Sequence, residues 1–335
     1  MNDCELQVFF FTPYYHQNRG NSTTARRIEH GLVKENIEVF VYAYEEEEFT
    51  PEVQQQMKTA DVIHILQFAR FARWSLNHSV TLNKPYIITS GGTDINHSIK
   101  ENAQTYVSLL TKAKAVTVFT DQAKESLVND FGFSDDLIHV IPQSVYLPEK
   151  DGSNLKLPFG YPKILLPAGL RPVKDVLYAL PAINRLRVDY PDIAFLILGA
   201  NLDKNVYDQV QRAVNCYHWV HYMEEVDLSK MKAVYNWADV VINTSISEGQ
   251  PTSLLEAMIE KRPVAAKEND GNLSIIKHRV NGLIFRDINE LYDSLKQLVS
   301  DKAFSQKLIN NGYKTVRENH TIEQEIKSYI TLYSQ

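Results

Sequence analysis

Cysteine is nearly missing from this chain: Cys4 and Cys216 are the two in 335 residues, one in each half. That excludes a disulfide framework and fits a reducing compartment, with the cytoplasm as the expected location. Long apolar runs are also missing. Nothing approaches the roughly 18 consecutive apolar residues of a membrane-spanning helix. The opening MNDCELQVFFFTPYYHQNRG has neither a basic leader nor an apolar stretch long enough for a signal peptide. Contact with a membrane surface is left open, because a surface patch has no linear signature. A basic surplus is lacking as well: 35 Lys and Arg stand against 41 Asp and Glu, a net charge of -6. Nucleic acid is therefore not an expected partner, since backbone phosphates demand clustered cations. Any anionic ligand would need a local basic pocket. His97, His139, His218 and His221 show no HExxH spacing and neither cysteine belongs to a CxxC pair, so zinc is not expected. GxSxG is absent, which removes support for a serine hydrolase.

What is present is enough apolar material for large cores. Hydrophobic residues are 44% and charged residues 23% of a length that suggests two domains of roughly 150 residues each. Short runs rich in Val, Ile and Phe alternate with amphipathic stretches, the α/β pattern. LQVFFF (6–11), IEVFVYA (37–43), DVIHIL (61–66), PYIITS (85–90), AVTVFT (115–120) and IHVIP (138–142) read as parallel strands of a first sheet. PEKDGSNLKLPFGYP breaks the periodicity and reads as a linker, ending at 162. KILLPAG (163–169), AFLILG (194–199), HWVHY (218–222), DVVINT (239–244) and PVAAK (263–267) read as a second sheet. The expected division is 1–148, a linker 149–162, 163–317, and a last helix 318–335. The acidic run at 45–48 reads as a solvated loop. His64 reads as a core histidine, with a place lining a cleft as the alternative, and Tyr14, Tyr15, Phe68, Phe71 and Trp74 as candidates either to line an acceptor side or for core or surface packing.

The most informative stretch is 239–285, DVVINTSISEGQPTSLLEAMIEKRPVAAKENDGNLSIIKHRVNGLIF. A strand ends near Thr244, a turn containing Gly249 follows, and Thr252 or Ser253 offers an N-cap to the helix through Leu254, Glu256 and Met258. Amides and a helix dipole at the carboxyl end of a strand suit an anion such as phosphate. Glu248 and Glu256 flank this turn, and carboxylates accept hydrogen bonds from sugar hydroxyls. Earlier, in LLPAGLRPVKDVLYALPAI (165–183), a strand leads to Gly169 and to Arg171 and Lys174, read as opening the next helix. Two cations there oppose the helix dipole, a conflict that a bound diphosphate would relieve. In the first half, Gly20 and Asn21 lie between the first strand and first helix, where Rossmann-like sheets place ligand loops. The segment is not GxGxxG, which disfavours a dinucleotide dehydrogenase.

These stretches resemble the donor-site signatures of family 4 glycosyltransferases. The resemblance implies the GT-B fold: two facing Rossmann-like domains with parallel sheets, and a C-terminal helix crossing back to the first. It implies a retaining transfer from a nucleotide diphosphate sugar, with a UDP-sugar such as UDP-GlcNAc or UDP-glucose expected, to a small-molecule or glycan acceptor. On that pattern Glu248 faces the donor sugar and Glu256 the ribose. Gly20, Gly169, Met223, Gly249, Gln250, Pro251, Thr252 and Ser253 complete the donor side, and Arg171 and Lys174 hold the diphosphate. The loop SGGTDIN (90–96) is similar to the HGTD loop of some relatives. Asn21, Gly91, Gly92 and Thr93 then fall on the acceptor side, and Asp94 among the catalytic residues. Gly91 departs from the histidine of many relatives and resembles a sub-branch that includes bacterial selenosugar synthases. The D-x-D pair by which metal-dependent glycosyltransferases of the other major fold hold a cation is absent, so no metal and no further cofactor is expected. Closure about the linker would exclude water from the donor. An epimerase or hydrolase of nucleotide sugars, or a non-catalytic sugar-nucleotide-binding subunit, are the competing classes.

Overall fold

The computed structural model describes residues 6–17, 19–92, 94–101, 103–148 and 155–334. The chain divides into two compact units, Met1–Ser144 with Thr321–Gln335, and Val145–His320. This division falls a few residues from the expected 148 and 317. Val145, Leu147, Leu155 and Leu157 already pack on the second unit's core, and the Trp237 indole donates to the Pro158 carbonyl. Residues 149–154 of the expected linker lie outside the described residues, as does Cys4.

The first unit holds β1 (Gln7–Thr12), β2 (Glu38–Ala43), β3 (Val62–Leu66), β4 (Tyr86–Thr89), β5 (Ala115–Val118) and β6 (Ile138–Val140). All pair in parallel, in the order β2-β1-β3-β4-β5-β6. Strand alternation sends Phe9 and Phe11 to a core with Phe68, Phe71 and Trp74, and Val8 and Phe10 to a core on the other face. Phe68, Phe71 and Trp74 are therefore interior packing and do not line an acceptor surface. The helix Ile322–Ser334 returns to this unit through Ile326, Tyr329, Leu332 and Tyr333. It lies against the helix Gly20–Lys34 at Gly31, where an added Cβ would come within 2.2 Å of Ile326 Cγ1. Beside that contact Arg27 Nε and Nη2 donate to the two Glu325 oxygens at 2.8 and 2.9 Å, both side chains fully buried. His64 is a core residue: Nδ1 pairs with the Tyr333 hydroxyl and Nε2 with the Thr89 hydroxyl, both at 2.7 Å, and burial pushes its pKa down to about 3.

The second unit holds β7 (Lys163–Pro167), β8 (Ala194–Leu198), β9 (Val220–Met223), β10 (Val240–Asn243), β11 (Val264–Lys267) and β12 (Leu283–Phe285). Their order is β12-β11-β10-β7-β8-β9, again parallel. Ile164, Leu166 and Ile242 face one core and Leu165 and Val241 the other. β12 is a strand that periodicity did not announce, because three residues are too few to establish alternation. The order reverses between β7 and β10. In doubly wound sheets that crevice, outside the carboxyl ends of the two strands, is where ligands bind.

Candidate functional site

Both signature stretches end at this reversal. Beyond β7, Pro172 fixes the backbone and the chain forms a short 3-10 turn, Pro172–Lys174, ended by Asp175 in the left-handed region at φ 43. The next helix begins only at Leu180. Arg171 and Lys174 thus do not open a helix, and the dipole conflict expected of them does not arise. The turn is tied to the strand beside it: Thr244 Oγ1 donates to the Lys174 carbonyl at 2.9 Å, and Ile246 N–H to that of Val173 at 2.9 Å. Arg171 is exposed and Lys174 half-buried.

Lys174 points at Glu248. Its Nζ lies 2.6 Å from Glu248 Oε1, and the same oxygen accepts from Asn243 Nδ2 at 3.0 Å and Ser245 Oγ at 2.7 Å. Three donors on one oxygen fix the rotamer of this acid. Burial by itself would push the carboxyl up, but the Lys174 ammonium and the Asn243 and Ser245 hydrogen bonds hold it below its ordinary value. A second asparagine layer stands behind. Asn243 Oδ1 accepts from Ser245 N–H at 2.9 Å and from Asn272 Nδ2 at 3.4 Å, and Asn269 Nδ2 reaches the Ser245 carbonyl at 2.9 Å. Gly271 completes the support, since a Cβ there would sit 2.6 Å from the Glu248 carbonyl oxygen and Cβ.

The helix after the turn is Thr252–Ile259, with Pro251 at the N-cap position and no side-chain cap. Thr252 and Ser253 were expected to cap it. Both instead belong to its first turn, since proline's fixed φ suits the cap geometry and leaves the turn amides to other partners. Gln250 is buried, its Nε2 3.3 Å from Ser274 Oγ. Glu256 is buried too, and its Oε2 accepts from the Tyr235 hydroxyl at 2.7 Å. Burial and the Glu256 charge push the Tyr235 pKa well up. Gly169 follows β7 with Leu202 Cδ1 2.9 Å from where its Cβ would be, and Met223 closes β9 half-buried. Tyr235, Asn243, Ser245, Asn269 and Asn272 were not singled out in the sequence. Polar residues in turns and an aromatic in an apolar run carry no signal of their own.

In the first unit, Gly20 is the exposed first residue of its helix, and Asn21 Oδ1 lies 3.3 Å from the Cβ position of Gly91. Gly92 is buried at φ 87. Thr93 lies outside the described residues. Asp94 is fully buried and accepts from Ser90 Oγ, Gly91 N–H, Phe68 N–H and Ile95 N–H. Burial pushes its carboxyl up, and these bonds offset only part of that. Expected among the catalytic residues, Asp94 is the brace of its own loop. The acidic run is also more than a solvated loop, since Glu46 accepts the N–H groups of Tyr15, His16 and Gln17 at 2.6, 2.8 and 3.0 Å.

A cavity of about 440 Å³ elsewhere in the second unit is lined by Leu273, His278, Arg286 and Glu290. It borders β12, the edge strand away from the reversal, and its Arg286 is already paired with Glu290 at 2.7 Å.

Residues 161–301 match the family described as glycosyl transferases group 1. That match lies within the second unit. Over 93% of both chains, the protein is 28% identical to glycosyltransferase 1 domain-containing protein 1 of Xenopus tropicalis. It is 24% identical to an uncharacterized glycosyltransferase of Methanocaldococcus jannaschii, over 82% of this chain and 75% of that one. Among solved structures, the sucrose-phosphate synthase of Thermosynechococcus elongatus superposes with a TM-score of 0.78 at 17% identity, covering 99% of both chains. Anabaena HepE in complex with UDP and glucose superposes with a TM-score of 0.74 at 15% identity, over 99% of this chain and all of the other. The fold is GT-B, with two six-stranded parallel sheets among the described residues. In the second unit both stretches converge on the pair Lys174 and Glu248.

Proposed function

We propose that this protein is a retaining glycosyltransferase of family 4 that transfers a sugar from a UDP-sugar without a metal ion. The observation that carries the reading is the Lys174–Glu248 pair at the sheet reversal, braced by Asn243 and Ser245 and followed by the uncapped start of the helix Thr252–Ile259. A diphosphate suits this place chemically. Lys174, Arg171 and the amides of the Gly249–Ser253 turn supply positive charge where the leaving group gains negative charge, a preorganised effect worth about 3 kcal/mol or more per well-placed donor. Glu248 suits the sugar, whose ring gains positive charge as the glycosidic bond breaks. Glu256, held by Tyr235, suits the ribose hydroxyls. The acceptor's nucleophilic atom bonds to the anomeric carbon on the face the diphosphate leaves as the bond to the diphosphate breaks, and its proton passes to a leaving phosphate oxygen. HepE was solved with UDP and glucose, which supports a UDP-hexose as donor.

The test is incubation with a panel of UDP-sugars and a library of thiol, acid and sugar acceptors, with product masses read out. A mass increment of one hexose or N-acetylhexosamine on an acceptor is expected. Isomerised or hydrolysed donor with every acceptor would overturn transfer. In parallel, Arg171→Ala with Lys174→Ala should weaken calorimetric UDP binding by about tenfold or more, and unchanged affinity would remove the diphosphate assignment.

A further inference from the structure

The first unit has its own reversal, between β1 and β3, the ligand-binding crevice of a sheet ordered this way. There the chain gathers hydrogen-bond donors and consumes its acceptors. The loop after β1 supplies Tyr14 and Arg19, and the segment after β3 supplies Gln67 and Arg70. Arg19 Cζ lies 4.0 Å from the Tyr14 ring centre, while Arg70 Nη1 donates to the Tyr14 hydroxyl at 3.1 Å. Two guanidiniums thus share one phenol, and among the described residues neither meets a carboxylate. The acids that could neutralise them are spent on backbone: Glu46 on three N–H groups of the Tyr14 loop, Asp94 on its own loop and on Phe68.

Gln67 adds a third donor. It is a non-glycine residue in the left-handed region, at φ 68 and ψ 83, and only 4% exposed. Residues held this way cluster at ligand sites. Its Oε1 accepts Arg70 N–H at 2.8 Å, so the group left to offer is the amide N–H₂, which meets no partner among the described residues. Its Cγ sits 2.9 Å from where a Cβ on Gly91 would be, so glycine at 91 is what leaves room for it. The loop is fixed in advance, because Arg26 Nη2 also donates to the carbonyls of Tyr15 and His16 at 2.6 and 3.1 Å. Two like charges without a counterion repel, and an oxygen-rich anion is the complement of guanidinium forks and an amide.

We propose that Arg19, Arg70 and Gln67 bind an oxyanion, a carboxylate or a phosphate group, and that the acceptor carries it. Only the naming of the acceptor rests on the transferase reading. The full-length protein is titrated calorimetrically with malonate, with inorganic phosphate, and with glycerol as a neutral control. One of the anions is expected to bind and glycerol not to. Malonate binding tighter points to a carboxylate acceptor, and phosphate binding tighter to a phosphorylated one. Arg70→Gln and Gln67→Leu should each weaken that binding by about tenfold or more. Arg73→Gln, which removes an exposed charge three residues on, should change it by less than about twofold. UDP affinity should be the same in all of these variants, and an unchanged thermal midpoint of the first unit, the one that holds the three substituted residues, shows that they are folded. Absence of anion binding in the parent protein, or an equal loss in Arg73→Gln, overturns the site. Anion binding without UDP binding would leave this site standing and remove the nucleotide-sugar reading.

Discussion

Removing the Lys174 ammonium should expose how strongly it is coupled to Glu248. The two side chains are 16% and 10% exposed and meet at 2.6 Å. The pair therefore lies between exposed ion pairs, worth about 0–1 kcal/mol, and buried ones, whose disruption costs about 3–5 kcal/mol. Lys174→Met leaves the carboxylate with Asn243 and Ser245 as its remaining partners in that cluster, and should destabilise the second unit by about 2–3 kcal/mol. Glu248→Gln keeps an oxygen for the same two donors and should cost about 1–2 kcal/mol. The double variant removes both charges, so its loss should fall short of the sum by about 1–3 kcal/mol. Urea unfolding in a Trp74→Phe background reads this out, because Trp219 and Trp237 both belong to the second unit. The pH dependence has a definite sign. The folded carboxyl lies below its ordinary value, so the pair's contribution is complete above the unfolded carboxyl pKa of about 4.3 and is lost as pH falls through the lower folded value. In Lys174→Met burial dominates, and the penalty of a buried anion is relieved by acid. The gap between parent and variant should therefore be widest near neutrality and close on acidification. Additivity within about 0.5 kcal/mol, or a gap independent of pH, would refute the coupling.

Glu256→Gln should mainly raise the donor KM, because a ribose contact is made equally in ground and transition states, whereas Glu248→Gln should mainly lower kcat; steady-state kinetics that reverse this order would exchange the two roles. Exhaustive chelation should leave transfer largely intact, and complete loss with EDTA restored by manganese or magnesium would show that side-chain cations do not suffice. Gly31→Ala should lower the thermal midpoint of the first unit, since the new Cβ would lie 2.2 Å from Ile326 Cγ1, at a cost of about 1–3 kcal/mol; an unchanged midpoint in calorimetry would mean the C-terminal helix docks with more latitude.

Much of the fold was legible because parallel strands buried on both faces are continuous apolar runs. FFF at 9–11 and ILL at 164–166 announce strands without help from their neighbours. β12 was not legible, since Leu283–Phe285 is a strand only because β11 is there to pair with it. In the site, Arg171, Lys174 and Glu248 stood out in turns that follow strand ends, Glu256 a turn into the next helix, and all four through the resemblance to known donor-site signatures. Their partnership did not, because Lys174 and Glu248 are 74 residues apart and only the sheet order brings their turns together. Glu46 was misread for a related reason. A glutamate among four reads as a solvated charge until its oxygens are found on the backbone of a loop some thirty residues earlier. Gln67 gave no sign at all, as a left-handed backbone leaves no mark on a residue type that tolerates it poorly.

The two units use the same topological device and treat charge in opposite ways. At the reversal of the second sheet the lysine is met by a glutamate of the same domain, so a diphosphate arriving there would have to share Lys174 with Glu248. Sharing couples the donor's phosphates to the acid that would face its sugar: drawing the ammonium toward a phosphate weakens its hold on the carboxylate and leaves Asn243 and Ser245 to carry more of it. At the reversal of the first sheet the acids are withheld, and Arg19 and Arg70 have only an aromatic ring between them. A neutral sugar hydroxyl would leave that charge unmet, while a carboxylate or phosphate would meet it. On the proposed function, this asymmetry would separate the two substrates by chemistry before any contact specific to either is made. On that same reading, the second unit would answer the charge of a diphosphate with a shared lysine, and the first would demand charge from whatever binds it.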